Sequence, residues 1–210
     1  MRILPKTFFD LLFRKNFLIL IILCLFLSFS ACGSDDEEQV ATEEEYNILD
    51  EANYVRTKPK EYADMLQAEL SRITVQETRD KYSAAIATLN AATPCSALIF
   101  EKVLYFAACD HAKDLIKTNT FSHTGSNGSS PSDRVTDQAK SFGVSISYVG
   151  ENIAAGTNQN TGSKLVKQWV LYPGHLANIL RSDYTISGAA LMSGHPTYNW
   201  VSVQVFARYK

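Results

Sequence analysis

Helical periodicity runs from Tyr46 to Lys117, and strict two-residue alternation is confined to the last part of the chain. That segregation constrains the fold more than any other feature of the sequence. Ile48, Leu49, Ala52, Val55, Tyr62, Ala63, Leu66 and Leu70 recur at three- and four-residue steps, with Pro59 expected to break and restart the helix between them. Gln76–Ala91 repeats the pattern, and Ile99–Lys117 is the strongest helical stretch, with an apolar stripe that includes His111. Ser130-Pro131-Ser132-Asp133 has the form of a capping box, and Gly143 is placed to end the helix it starts. Val144–Val149 is β-like, Thr161–Leu171 and Pro173–Leu180 are helical, and Tyr184–Met192 and Tyr198–Tyr209 alternate as strands about a Ser193–Pro196 turn. Helices first, then mixed helices and antiparallel strands, predict an α+β layered domain. His111 reads as a hydrogen-bonded core residue and His195 as a solvated turn residue.

The N-terminus is set apart from this domain. Residues 1–31 carry a basic leader and a thirteen-residue apolar run, Phe17–Phe29. That is too short for a spanning helix, which needs about 20 residues, and suits a secretory signal. Ser30 and Ala31 precede Cys32, so the segment resembles a lipoprotein signal in which Cys32 is acylated, although Phe29 stands where a leucine is usual. Residues 32–45 contain the acidic runs Gly33–Glu38 and Glu43–Glu45 and are expected to form a solvated tether, with the folded domain spanning 46–210. The chain carries −2 overall and the first 31 residues +3, leaving about −5 for the remainder. No basic patch large enough to engage a nucleic-acid backbone is visible, so no nucleic-acid partner is expected. The expected location is the outer membrane or cell surface, with the membrane as partner through a lipid anchor.

Cys24 lies in the signal and Cys32 at the lipid site, so the folded domain has only Cys95 and Cys109. In an exported chain they either form a disulfide or leave Cys109 as a buried thiol.

Three short blocks carry the chemistry: Phe121-Ser-His-Thr-Gly125, Gly150-Glu-Asn-Ile-Ala154 and Pro173-Gly-His-Leu-Ala-Asn-Ile-Leu180. Each sets a potential metal ligand or proton carrier (His123, Glu151, His175) beside a glycine, on segments that only folding can unite. Together with Asn53-Tyr-Val-Arg56, Leu104, Ala107-Ala108, His111-Ala112, Trp169, Trp200 and Gln204-Val205-Phe206, they resemble in order the CAP superfamily of cysteine-rich secretory, antigen 5 and pathogenesis-related 1 proteins, in its secreted bacterial branch. The resemblance implies an α-β-α sandwich with a mainly antiparallel sheet. It also implies a cleft containing His123 and Glu151, flanked by Ser122, Asn152 and Asn178. The family's second glutamate and second histidine fall at Tyr172 and Val201, leaving His175 as the alternative third ligand for zinc or another divalent metal. Three ligands with an open fourth position would suit catalysis, with Glu151 as ligand or base. The functions so implied are a binding module for a lipid, glycan or protein, or alternatively a metal-assisted peptidase or nuclease.

Overall fold

The computed structural model describes residues 40–157 and 161–210. The expected signal, Cys32 and the first acidic run lie outside the described residues.

The helical half forms as α1 (Glu43–Thr57), α2 (Pro59–Leu70) and α3 (Gln76–Ala91). Pro59 sits in the first turn of α2, where its missing N–H costs nothing. A two-residue strand, β1 (Ile99–Phe100), precedes α4 (Lys102–Thr118), so the long helix starts later than its periodicity suggests. Then follow α5 (Pro131–Phe142), β2 (Ile146–Gly156), α6 (Gly162–Val170), α7 (Pro173–Leu180), β3 (Ile186–His195) and β4 (Asn199–Tyr209). Ser130 and Asp133 form the expected capping box, and Gly143 ends α5 in the left-handed region at φ 66°.

The sheet order is β1-β3-β4-β2; β1 joins β3 in parallel and the other pairs are antiparallel. On one face Trp200 and Phe206 enter a core with residues of α1, α6 and α7, among them Ile48, Trp169 and Ile179. On the other, α4 lies directly on β3: a Cβ on Gly188 would stand 2.2 Å from the Tyr105 backbone nitrogen. This is the α-β-α sandwich expected. Trp169 is fully buried and donates its indole N–H to Ile153 at 3.1 Å. Truncating such a side chain costs roughly 3–5 kcal/mol.

Two sequence readings are corrected, the first and third below, and one alternative left open is decided, the second. Glu43–Glu45 belong to the first turn of α1 rather than to a tether, with Thr42 and Glu45 closing a capping box. Glu45 is only 2% exposed; its carboxylate accepts from Tyr105 Oη at 3.3 Å and Leu191 N at 3.0 Å. Burial raises its pKa despite those bonds. The domain therefore starts near Ala41, not Tyr46. Second, no disulfide joins Cys95 and Cys109; both are thiols. Cys95 Sγ sits 3.8 Å from the Arg56 carbonyl and 3.7 Å from that of Leu180, on the α1/α7 side, whereas Cys109 is buried in α4 across the sheet. Third, His195 is 2% exposed, with Nε2 donating to Thr120 O at 3.1 Å and Nδ1 accepting from Thr197 N at 3.2 Å. Its ring fastens the β3–β4 turn to the end of α4.

Candidate functional site: a histidine–glutamate cleft

Glu151 lies in the middle of β2 and not in a loop, opposite Val205 of β4. The strand points its carboxylate into the interior, where the side chain is 1% exposed. An isolated buried carboxylate is costly, and two partners offset that cost. Arg134 Nη2 donates to Oε2 at 2.7 Å, and His123 Nδ1 donates to Oε1 at 2.8 Å. Arg134 carries no signal in the sequence reading beyond its place one turn after the Ser130 cap. It also donates from Nη1 to Ser129 O at 2.9 Å and from Nη2 to His123 O at 3.1 Å. One guanidinium thus holds both ends of the Phe121–Ser129 loop against the sheet. The loop's Ser126 bonds Asp114 through N and Oγ, at 2.8 and 2.5 Å, so this polar segment is a fastened rim rather than a flexible one.

With Nδ1 committed to Glu151, the exposed half of His123 is its Nε2 edge, the side chain being 51% accessible. His111 approaches from beneath. Its Nε2 donates to Ser122 O at 2.9 Å and stands 3.8 Å from Glu151 Oε1, so the residue read as core also supports the site. Burial lowers the His111 pKa, with Glu151 opposing, so the ring is neutral.

Of the flanking residues, Asn152 and Asn178 are structural. Asn178 Nδ2 donates to Glu151 O at 3.1 Å and Asn152 Oδ1 at 2.9 Å, and Asn152 Nδ2 donates to His175 O at 3.2 Å. Ser122 Oγ accepts from Thr124 N at 3.0 Å within its own turn. The Asn53/Arg56 motif acts at a distance. The fully buried Arg56 guanidinium donates to the carbonyls of Ser96, Ile179, Arg181 and Tyr184, which fixes the C-terminal end of α7 and hence His175.

His175 makes no hydrogen bond to His123 or Glu151 among the described residues. Its Nδ1 is buried without a partner, and burial followed by the nearby His123 lowers its pKa. It forms the wall of a cavity of about 260 Å³ with Phe121, Ala155, Trp169, Tyr172 and Tyr198. Phe121, Tyr172 and Tyr198 are exposed, and the Phe121 and Tyr198 rings meet edge-on at 5.8 Å. Tyr172, where a second glutamate was sought, caps α7 and lies 5.9 Å from the His175 ring. Val201, where a second histidine was sought, is fully buried in β4.

As a metal ligand Glu151 does not fit, since a guanidinium and an imidazole already occupy its two oxygens. It fits the role of a carboxylate that orients a histidine. The remaining donors are the imidazoles of His123 and His175. Among the described residues no group of three His, Cys, Asp or Glu side chains is arranged around a metal position.

An α-β-α sandwich whose first helix, cleft loop and short α7 converge on a histidine–glutamate pair defines a secretory class of domain. The chain belongs to the CAP (cysteine-rich secretory protein) family, whose pattern matches residues 49–206. It is 36% identical over 91 residues to the uncharacterized protein YkwD of Bacillus subtilis strain 168, covering 43% of this chain and 33% of that protein. The chain therefore spans about a third of that relative's length. Among solved structures it is similar to an outer surface protein from Borrelia burgdorferi (21% identity, 66% of this chain and 97% of that one, TM-score 0.49). It is also similar to an extracellular SCP-domain protein from Bacillus anthracis (26% identity, 54% and 34%, TM-score 0.45).

Proposed function

We propose that this is a binding module displayed at the cell envelope, held by an acyl chain on Cys32, that takes part of a lipid, glycan or protein into the Phe121/Tyr172/Tyr198 cleft. Membership of a secretory family supports a secreted or cell-surface location. The observation that carries the binding reading is the cleft itself: an apolar floor and an exposed aromatic rim, with a few polar side-chain groups such as His175, Gln168 and the tyrosine hydroxyls. Ligand pockets have this character, and a volume below the usual ~300 Å³ admits one ring or a short chain rather than a whole ligand. Exposed aromatic rings otherwise forfeit the burial that makes them valuable.

One observation favours a second reading. His123 Nδ1 bonded to a buried carboxylate leaves Nε2 outward, the orientation of a general base or a metal-binding imidazole. A metal there would supply Lewis acidity and an activated water, and His123 and His175 are the residues that would hold it.

The test is a thermal-shift panel of lipids and glycans run beside a pooled hydrolase screen. Ligand-induced stabilisation that is lost in a filled-cleft Ala155→Trp variant supports the binding module. Turnover abolished by Glu151→Gln, with no ligand stabilising the wild type, overturns it in favour of the hydrolase.

A further inference from the structure

β2 begins irregularly. Its register against β4 shifts between Ser147 and Gly150, and within that bulge Tyr148 adopts φ 54°. A bulky aromatic residue in the left-handed region is a strained outlier that persists only where its surroundings impose it. Burial does not impose it here, because Tyr148 is 50% exposed. The strained backbone instead sets the ring against two cations. Arg208, paired with Ser147 across the ladder, holds its guanidinium carbon 4.1 Å from the ring centroid. Arg181, the residue that ends α7, stands 6.0 Å from the same centroid and 5.3 Å from the Tyr184 ring. The two guanidinia are therefore no further apart than the sum of their distances to one ring. Each is held by an aromatic face, but they share a charge sign and repel. Arg181 has a partner in Asp183 at 3.3 Å, both side chains about half exposed. Among the described residues Arg208 makes no ion pair. Past the first 31 residues the chain is otherwise acidic, so this doubly cationic spot stands out against its surroundings.

We infer that Tyr148, Arg181 and Arg208 form a binding site for a phosphate group, separate from the histidine–glutamate cleft and independent of the binding-module reading. Planar guanidinium forks match tetrahedral oxyanions with paired hydrogen bonds, and stacking on aromatic rings pre-organises them for that contact. A phosphate bound by the two arginines would neutralise their like charges. The strained backbone thus holds the ring and both guanidinia in place before a ligand arrives.

The phosphate could come from a lipid headgroup or from a free phosphate ester, and two probes separate these sources. Calorimetric titration of the purified protein with glycerol 3-phosphate and with dihexanoyl phosphatidylglycerol is expected to show saturable binding. Equal affinity for both identifies the phosphate alone as the determinant, and tighter binding of the short-chain lipid identifies a headgroup site. Arg181→Gln/Arg208→Gln should weaken binding at least about tenfold through lost charge-assisted bonds. Tyr148→Gly provides the second control, since glycine accepts the left-handed conformation freely. That variant should melt no lower than the wild type and still lose affinity. Absence of saturable binding for both probes, or affinity unchanged in the double-arginine variant or in Tyr148→Gly, overturns the proposal.

Discussion

Arg134 and His123 meet on one carboxylate: each donates to a different oxygen of Glu151, at 2.7 and 2.8 Å, and Arg134 also grips the His123 carbonyl. Removing the guanidinium would leave a buried negative charge with one partner. Arg134→Ala is expected to cost about 3–5 kcal/mol, read from urea unfolding. Adding Glu151→Gln to that variant should restore part of the loss, because the uncompensated charge goes with it. Additive costs would show that the pair is not energetically coupled.

Stability should fall as the medium is acidified. Burial holds His111 below its ordinary value despite Glu151, and His175 likewise. A histidine with a lowered folded pKa binds fewer protons folded than unfolded between those two values. Its contribution is therefore whole above about pH 6.5 and lost as pH falls toward the folded value. Melting temperatures taken from pH 8 to 5 should bend downward below that point. His111→Gln should flatten the bend, with Asp114, Arg134 and Glu151 left in place around it.

The start of the domain can be tested by truncation. A chain beginning at Tyr46 lacks the Thr42–Glu45 capping box and the bonds of Glu45 to Tyr105 and Leu191. Compared with one beginning at Val40 it should lose about 2–4 kcal/mol, from a cap worth ~1 kcal/mol and buried donors left unsatisfied at 1–3 kcal/mol. Equal stability would return Glu43–Glu45 to the tether.

Zinc, if it binds, has two imidazoles to hold it. Titration should give a Kd in the micromolar range or weaker, the expectation for fewer than three protein ligands. Binding should vanish in a His123→Ala/His175→Ala variant, and identical isotherms for that variant and the wild type would remove both residues from any metal site.

Anchoring is a separate question. Cys32→Ala should abolish incorporation of a clickable fatty acid, and labelling that persists in the variant would refute acylation at Cys32.

The sequence carried the domain class, most helices and the capping box of α5, because periodicity and caps are local properties. It also identified His123 and Glu151, through the blocks around them. Arg134 and the supporting contact of His111 were not legible, since each depends on a partner brought in from another element. Glu45 was misread for a related reason. Three consecutive glutamates look solvated until a neighbouring helix and strand supply donors for one of them. Tyr148 gave no local sign at all, because its strain arises from a bulge between two strands.

The strand order carries a consequence for the timing of assembly. β4 lies between β3 and β2 and supplies the antiparallel partner of both, yet it follows the other three described strands in sequence. Until Asn199 and the residues after it leave the ribosome, only the two-residue β1–β3 contact is open to the sheet. Phe206, Val203 and Val205, which complete the cores on both faces, arrive at the same late moment. Folding must wait for a long-range closure. The sheet therefore closes only once Asn199–Tyr209 is available, so the pairing of β3 and of β2 depends on one and the same segment.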